Sequence, residues 1–479
     1  MLKGLDKQYT IIGHLAFIML FVIAFVFYKE RTLNFDSAFY AIRLLATVDF
    51  YTPHGRGINY LWQWIPLLIF KFGGSLKMFM YAMSLAPLLL MYGIYLIITH
   101  VFKNPKAGVF LALALVLTTR YKFYAAISEI YLSIGLVALV VAWLSINEEK
   151  FLAYQGYSPT KKLMITLFLI CLTYLGHPFI IFPLLFVLGA DVIWNERWKD
   201  KLAWTGIACA LLLFFGRYAL IIFSSGSYER SKMGSVSLST FKQVILHPFE
   251  TYSVSILGNF ADSQWLFAIL LFLVGTFFLF RKNKLFALYL LLYSAFWFVF
   301  VASVCSYLQG DIYAMIEGYC GYFAVAWALP IVYLSEADAK WKMVLPIAAS
   351  FLLLFSIHRI YTKSTFFTQR LAKLEKIVEL NAVDDESASR NIMLKMDGKY
   401  WKQLWYPWSV PYETLILTSL KDAESTYIIY IADDAKKVEK HTKHNLRYMP
   451  PFNDDTYALP KRYFNIDRRP FSLSANDGM

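Results

Sequence analysis

Charged residues are scarce in this sequence, where Asp, Glu, Lys and Arg together make up only 16% of 479 residues. Hydrophobic residues make up 58% and aromatic residues 18%, and the mean hydropathy is +0.49. A soluble enzyme or a disordered chain needs far more polar and charged side chains than this. The composition therefore excludes both classes and indicates a membrane protein.

Cysteine and the common catalytic motifs are also sparse. The sequence has four cysteines, of which Cys171 and Cys209 lie within apolar runs, while Cys305 and Cys320 flank a polar loop without the spacing of metal ligands. Neither a disulfide framework nor a zinc site is indicated. A glycine-rich nucleotide loop, a His-x-x-x-His pair and a Gly-x-Ser-x-Gly elbow are all missing from the sequence. Binding of a nucleotide sugar is therefore not expected.

Long apolar runs take up most of the chain instead. A helix needs about 20 apolar residues to cross a bilayer, and we predict about eleven transmembrane helices. The candidate spans are 11–28, 78–100, 107–118, 127–145, 163–176, 178–194, 203–223, 263–280, 285–305, 319–335 and 342–358. The spans at 107–118 and 163–176 are short enough to be tilted, broken or re-entrant.

Many basic residues lie at the ends of these runs. The net charge is +13, but its placement indicates control of membrane orientation rather than nucleic-acid binding. With a cytoplasmic N-terminus, every short basic loop falls on the cytoplasmic side of a cell inner membrane. An odd number of spans then places residues 29–77, residues 224–262 and the C-terminus on the outer, periplasmic face.

The sequence changes character after the last predicted span. A charged amphipathic stretch at 368–380 precedes short runs of alternating polarity at 391–396, 413–420 and 426–432. We predict a membrane domain over 1–358 and a small α/β extramembrane domain over 359–479. No internal repeat is visible, which argues against the two related halves of many transporters.

The predicted first outer segment carries the strongest motif. Apolar residues recur at helical spacing around Asp36 and Tyr40, which indicates one or two helices at the membrane surface. An apolar stretch containing Pro66 follows and ends in Phe72 and Gly73 before the second span. In these residues and in its plan of spans, the sequence resembles the GT-C superfamily of integral membrane glycosyltransferases, which includes protein O-mannosyltransferases and lipid A aminoarabinose transferases.

The resemblance implies a role for the first acid of this segment. In the family that acid is a general base toward the acceptor hydroxyl or a ligand of a divalent metal ion, and the matching residue here is Asp36. Partial desolvation between interfacial helices would make its carboxylate a better base. Alternatively, Asp36 caps the helix that begins at Ser37. Asp49 is a second candidate, sharing a face with Asp36 only if the helix is continuous.

A polyprenyl phosphate donor requires cations at the outer ends of spans. The candidate phosphate-binding residues are His54, Arg56, Arg120, Lys122, Arg217 and Arg359. Alternatives are pairing with lipid headgroups for Arg120 and Lys122, and snorkelling of the side chain to the interface for Arg217.

Further candidates follow from family positions. Glu129 is a third possible catalytic acid, with the alternative that it pairs with Arg120, Lys122 or Arg217. Tyr40 and His177 are predicted to bind substrate, although a lone His before Pro is more often a turn residue.

Glu317 occupies the region where relatives carry an acid followed by Arg-Tyr. It is followed here by Gly318 and Tyr319, which leaves it as an acceptor contact only.

The sequence therefore predicts a glycosyltransferase that moves a sugar from a polyprenyl phosphate to a glycan, lipid or protein acceptor. Its other partners would be membrane lipids. A polysaccharide polymerase or ligase, and a transporter or flippase of lipid-linked substrates, are the alternative functions.

Overall fold

The structure is a computed structural model and is mostly helical. It describes residues 2–146, 159–223, 230, 238–247, 263–305, 313–337, 341–382, 389–395, 404, 407–432, 448–449, 452–453, 459–467, 469 and 471–474. In this part of the chain the N-terminal helices are α1 (Leu2–Val26), α2 (Tyr28–Thr32), α3 (Asp36–Thr47), α4 (Tyr60–Lys71), α5 (Leu76–Leu96), α6 (Pro105–Val116), α7 (Glu129–Leu144) and α8 (Pro159–Thr173). The later helices are α9 (Ile181–Trp194), α10 (Lys201–Phe223), α11 (Leu238–Leu246), α12 (Ser263–Lys282), α13 (Lys284–Cys305), α14 (Tyr313–Ala328), α15 (Pro330–Ala337), α16 (Trp341–Asn381) and α17 (Val410–Ser419).

Among the described residues, six helices are long and apolar enough to cross a membrane. They are Asp6–Val26, Leu76–Val101, Lys201–Phe223, Trp265–Lys282, Lys284–Cys305 and Trp341–Asn381. The protein is therefore a helical membrane protein, but the predicted number of eleven spans is not confirmed.

The remaining predicted spans are shorter or broken helices. α6 and α7 are buried along nearly their whole length, so neighbouring helices rather than lipid cover them. The predicted span at 319–335 is divided because α14 ends at Ala328 and Pro330 begins α15. Proline has no backbone N–H to donate and restricts the residue before it, which ends a helix.

Helix α16 links the membrane part to the C-terminal part. It contains 41 residues, which corresponds to about 60 Å at 1.5 Å per residue. This is about twice the 30 Å apolar thickness of a bilayer, so much of α16 extends beyond it. The predicted domain boundary at 358 lies inside this helix.

The C-terminal part contains a small parallel sheet. Strands β1 (Asn391–Lys395), β2 (Ile428–Ala432) and β5 (Ser472–Ser474) form a sheet in the order β2-β1-β5. A separate antiparallel pair is formed by β3 (Tyr448–Met449) and β4 (Phe452–Asn453).

The run at 413–420, which alternates in polarity like a strand, forms α17 instead. The reason is topological, since parallel neighbours such as β1 and β2 need a crossover connection, which is usually a helix.

Candidate functional site

The helix that carries Asp36 begins from an unusual backbone conformation. Phe35 has φ 44° and ψ −124°, which a bulky side chain rarely adopts. Its N–H donates to Oε1 of Glu413 at 3.1 Å, and its ring lies 5.2 Å from the guanidinium carbon of Arg370. Phe35 is the N-cap residue of α3, without a side-chain capping bond. The alternative in which Asp36 caps the helix is therefore wrong.

Asp36 is the first residue of α3 and is exposed. The expectation of a partly desolvated carboxylate between interfacial helices is therefore not met. Because the side chain is exposed, it is accessible to a molecule that approaches from outside. The positive end of the α3 dipole also favours a negative charge in the first turn.

A buried polar cluster lies one turn further along α3. The Tyr40 hydroxyl donates to Oε1 of Glu129 at 2.6 Å, and Nη1 of Arg56 lies 3.1 Å from the other oxygen of that carboxylate. Nδ2 of Asn59 lies 3.3 Å from the Tyr40 hydroxyl and 3.4 Å from Glu129 Oε1. We call Tyr40, Arg56, Asn59 and Glu129 the Tyr40 cluster.

The electrostatics of the Tyr40 cluster keep its tyrosine protonated. Burial raises the pKa of the Tyr40 hydroxyl well above its usual value, and the charge of Glu129 raises this pKa further. The charge of Asp36 acts in the same direction, as expected for two residues four apart on one helix face. Tyr40 is thus a hydrogen-bond donor at neutral pH.

The cluster brings together three residues that the sequence had singled out separately. Asn59 was missed, because an asparagine before an aromatic stretch carries no recognisable signal. The ion-pair partner of Glu129 is Arg56, which was not among the predicted partners. Of the three predicted partners, Lys122 does act on Glu129 through its charge. Glu129 comes from the first turn of α7 and Arg56 from the turn before α4, and sequence patterns do not reveal that these elements meet.

Asp49 does not share a helix face with Asp36. Helix α3 ends at Thr47, and Val48 follows with φ 55°. Asp49 is exposed, and its Oδ1 accepts the N–H of Phe50 at 2.7 Å. The condition under which Asp49 would join the site, a continuous helix, is therefore not fulfilled.

Arg120 and Glu317 form a buried ion pair. Nε of Arg120 donates to Glu317 Oε1 at 2.8 Å, and the two side chains are 5% and 0% exposed. The backbone N–H groups of Arg120 and Lys122 both donate to Glu317 Oε2 at 3.0 Å. These bonds give a structural reason for a basic residue here and favour a structural role for Glu317 over contact with an acceptor.

A cavity next to the cluster has apolar walls and two cationic side chains. It is lined by Arg31, Lys122, Ser128 and Tyr131 together with leucine, methionine, proline and phenylalanine side chains. Ser128 directly precedes Glu129 of the Tyr40 cluster. The cavity therefore combines an apolar interior with positive charge beside the candidate site.

Arg31 is a cation that sequence reasoning did not select. It is only 2% exposed, and its side chain donates to Ser84 Oγ at 3.0 Å, to the Ser84 carbonyl and to the Phe123 carbonyl. These partners are uncharged, and burial lowers the pKa of Arg31 to about 9. The sequence places Arg31 directly after the first span. A basic residue at that position usually sets the orientation of the span in the membrane, so it was not selected as a site residue.

Two other predicted residues have local structural partners. Nη1 of Arg217 donates to the Tyr174 carbonyl at 2.8 Å, and Arg217 is 9% exposed. Nδ1 of His177 accepts the N–H of Phe179 at 3.2 Å, which makes His177 the cap of a short 3₁₀ helix. The capping contact agrees with the alternative of a turn residue.

His54 and Arg359 are the remaining phosphate candidates. The backbone of His54 lies in a 3₁₀ turn, Pro53–Gly55, and its side chain lies outside the described residues. Arg359 is half-buried within α16.

A metal site is not supported near Asp36. Within the described residues, His, Cys, Asp and Glu side chains do not form any group of three that could hold a metal ion. The side chains that the structure describes therefore do not fit the metal that the family resemblance left open.

The chain matches no protein-family model, no curated protein and no solved structure. The function of the site must therefore be inferred from its own geometry and chemistry.

Proposed function

We propose that this chain is an integral membrane glycosyltransferase of the GT-C type, which transfers a sugar from a polyprenyl phosphate donor to an acceptor on the outer face of the membrane. The observation that carries the proposal is the juxtaposition of the exposed Asp36, the buried Tyr40 cluster and an apolar cavity with cationic residues. The motif of Asp36, Tyr40, Pro66 and Phe72-Gly73 points to the same class of enzyme.

The cavity suits the chemistry of the donor. A polyprenyl chain is apolar and needs apolar walls, while its phosphate needs cations that are not already neutralised. Arg31 and Lys122 line the cavity, and Arg31 has uncharged hydrogen-bond partners. Arg120, in contrast, is paired with Glu317 and is a weaker candidate.

The proposed reaction is a displacement at the sugar carbon that bears the phosphate. Asp36 takes the proton of the acceptor hydroxyl while that oxygen forms a bond to the sugar. The bond between the sugar carbon and the phosphate oxygen breaks, and the polyprenyl phosphate leaves with the electron pair and inversion at the carbon. Arg31 and Lys122 stabilise the negative charge that develops on the leaving phosphate. The proton on Asp36 then passes to water.

The Tyr40 cluster has a separate task in this proposal. Arg56 and Tyr40 are both bonded to Glu129, which fixes their side chains. Tyr40 and Asn59 are 4% and 0% exposed, so in this proposal the cluster does not contact the sugar. It holds α3 against the start of α7 and the turn before α4, and thereby fixes the position of Asp36.

The topology that accompanies the proposal has eleven spans, a cytoplasmic N-terminus and a periplasmic C-terminus. In this arrangement the shorter helices α6, α7, α8 and α9 also cross the membrane, and α14 and α15 together form the eleventh span. Arg281 and Lys282, at the end of α12, would then face the cytoplasm.

Mass spectrometry of lipid and glycan pools tests the proposal. Cells without the gene should accumulate a polyprenyl phosphate carrying one sugar and should lack that sugar in one glycan, lipid or protein pool. Expression of the wild-type chain should reverse both changes, and expression of Asp36→Asn should reverse neither.

Two other outcomes would replace the proposal. Accumulation of lipid-linked oligosaccharides instead of a single sugar would indicate a polymerase or ligase. Unchanged pools in the absence of the gene would contradict a transferase altogether.

A further inference from the structure

The turn that precedes Asp36 is held by an ion pair between Arg370 and Glu413, two residues that are distant from it in sequence. Nη2 of Arg370, in α16, lies 2.9 Å and 2.7 Å from the two carboxylate oxygens of Glu413, in α17. The two side chains are 3% and 0% exposed. Ser409 Oγ also donates to Glu413 Oε1 at 2.7 Å.

Both members of this pair also bind the backbone of the first segment. Nη1 of Arg370 donates to the Leu33 carbonyl at 3.2 Å, and Glu413 accepts the Phe35 N–H at 3.1 Å. The Phe35 ring packs under the guanidinium group. The pair thus contacts both sides of the residue with the unusual backbone conformation.

The energetics favour a positioning role over a contribution to overall stability. A buried ion pair is often no more stabilising than apolar residues of the same size, because desolvation offsets its attraction. A strained conformation persists only where surrounding groups impose it, and such positions cluster at functional sites. Here the imposed conformation directly precedes the exposed acid of α3.

We propose that Arg370 and Glu413 are positioning residues, which hold the Phe35 turn and thereby set the placement of Asp36 and Tyr40 for the transfer reaction. This inference rests on the proposed function. It gives the C-terminal part of the chain a specific role, because Arg370 and Glu413 supply groups that shape the site.

A second contact of the C-terminal part agrees with this role. Arg462 donates to the Phe70 carbonyl and Tyr463 donates to the Gly74 carbonyl, at the end of α4. The guanidinium carbon of Arg462 lies 4.2 Å from the centre of the Phe70 ring. The C-terminal part therefore contacts the start of α3 and the end of α4, which are the two outer ends of the segment that forms the site.

The test combines Glu413→Ala with Phe35→Gly in the full-length protein. Glycine adopts positive φ without strain, so the Phe35→Gly background should need the ion pair less. The variants are expressed in cells that lack the gene, and the amount of product is measured. In the wild-type background, Glu413→Ala should form about 10- to 100-fold less product than the wild-type chain, as expected from the strain at one such residue. In the Phe35→Gly background, the same substitution should lower the amount of product by less than about threefold. An equal loss in both backgrounds would overturn the proposal.

Hydrogen exchange provides a readout that does not depend on activity. In nanodiscs, Glu413→Ala should accelerate exchange of the amides of residues 33–40 by about tenfold or more. The matched control is Glu379→Gln, which removes an exposed charge from α16 nine residues beyond Arg370 and should change neither this exchange nor the product. If Glu413→Ala does not elute as a single folded species, Glu413→Gln, which removes the charge but keeps the size, takes its place.

The two readouts separate the two proposals. If loss of the gene leaves the lipid and glycan pools unchanged, the proposed transferase function is contradicted. Hydrogen exchange of the amides of residues 33–40 alone would then decide whether the ion pair holds the Phe35 turn. Faster exchange with an undiminished product would overturn the positioning role while leaving the transferase intact. Unchanged exchange would overturn it in either case.

Discussion

Asp36 and Glu129 are two carboxylates in different surroundings. Asp36 is exposed at the start of α3, whereas the Glu129 side chain is 13% exposed and bonded to Tyr40 and Arg56. A general base needs access to the acceptor, while a carboxylate that already accepts two hydrogen bonds is better suited to holding its partners. At the residue scale the proposed chemistry therefore depends on Asp36.

Asp36→Asn should abolish most turnover without unfolding the protein. Removal of a general base typically lowers a rate by about 10² to 10⁴, and asparagine keeps the size of the side chain. Product formation in cells without the gene measures the loss, and elution as a single species on size-exclusion chromatography measures the fold. The matched control is Asp49→Asn, an exposed acid in the same segment, which should keep full activity. Equal activity of both variants would contradict the role of Asp36.

Arg31→Gln should weaken binding of undecaprenyl phosphate, because it removes a buried cation from the cavity. Hydrogen bonds to charged groups contribute enough that we expect a loss of about 10- to 100-fold in affinity. Arg31→Lys should recover part of the loss if the contact is mainly Coulombic, and little of it if the contact is bidentate. Native mass spectrometry of the protein with undecaprenyl phosphate measures the binding.

The control for Arg31 is Arg281→Gln, at an exposed position at the end of α12. This variant should bind undecaprenyl phosphate like the wild type. Undiminished binding by Arg31→Gln would remove Arg31 from the proposed donor site.

At the scale of elements, hydrogen bonds of Asp467 connect two strands of the parallel sheet in the C-terminal part. Its Oδ2 accepts the Arg390 N–H at 2.8 Å, and the Arg469 side chain lies 2.8 Å from the same oxygen. The Asp467 carbonyl accepts a bond from Asn391, the first residue of β1, at 2.8 Å. Asp467 therefore joins the chain before β5 to the start of β1.

This connection predicts a pH dependence of stability. Burial alone would raise the pKa of Asp467, but the bonds from Arg469 and the Arg390 N–H outweigh it and lower the pKa to about 2. Because this is below the unfolded value of about 3.9, ionised Asp467 stabilises the fold above about pH 4, and the contribution is lost as the pH falls toward 2. The difference in unfolding temperature between wild type and Asp467→Asn should thus be largest near pH 6 and shrink by pH 3. A difference that does not change with pH would contradict this assignment.

At the scale of the whole molecule, membrane orientation decides whether the site faces the outer side, where the proposed lipid-linked donor would lie. α1 and α16 are both long enough to span, and the first segment contacts the C-terminal part through Arg370 and Glu413. The first segment and the C-terminal part must therefore lie on the same side of the membrane.

Reporter fusions test this arrangement. Alkaline phosphatase fused after Met479 should be active, because the C-terminus is proposed to lie in the periplasm. The same enzyme fused after Asn283, between α12 and α13, should be inactive, because the basic residues there favour the cytoplasm. The reverse pattern of activities would overturn the proposed orientation.

The sequence by itself determined the class of protein and the local elements. Apolar composition requires a membrane as solvent, and the runs that became α1, α5, α10 and α13 could be recognised without any tertiary information. The helices around Asp36 and Pro66 were also predictable, since their patterns are local. Short apolar runs also indicated β1 and β2. The helix α17 could not be recognised in this way, because its alternating pattern fits a strand equally well, and only the parallel pairing of β1 and β2 requires a crossover helix.

Tertiary structure alone decided which residues meet. Arg56 rather than Arg120 pairs with Glu129, and Glu413 reaches the backbone of Phe35 across 378 positions of sequence. A buried charge selects a partner by three-dimensional proximity and by the geometry of the available hydrogen bonds, and neither is encoded in spacing along the chain. The strain at Phe35 is likewise imposed from outside its own segment, since no local preference of phenylalanine favours that conformation.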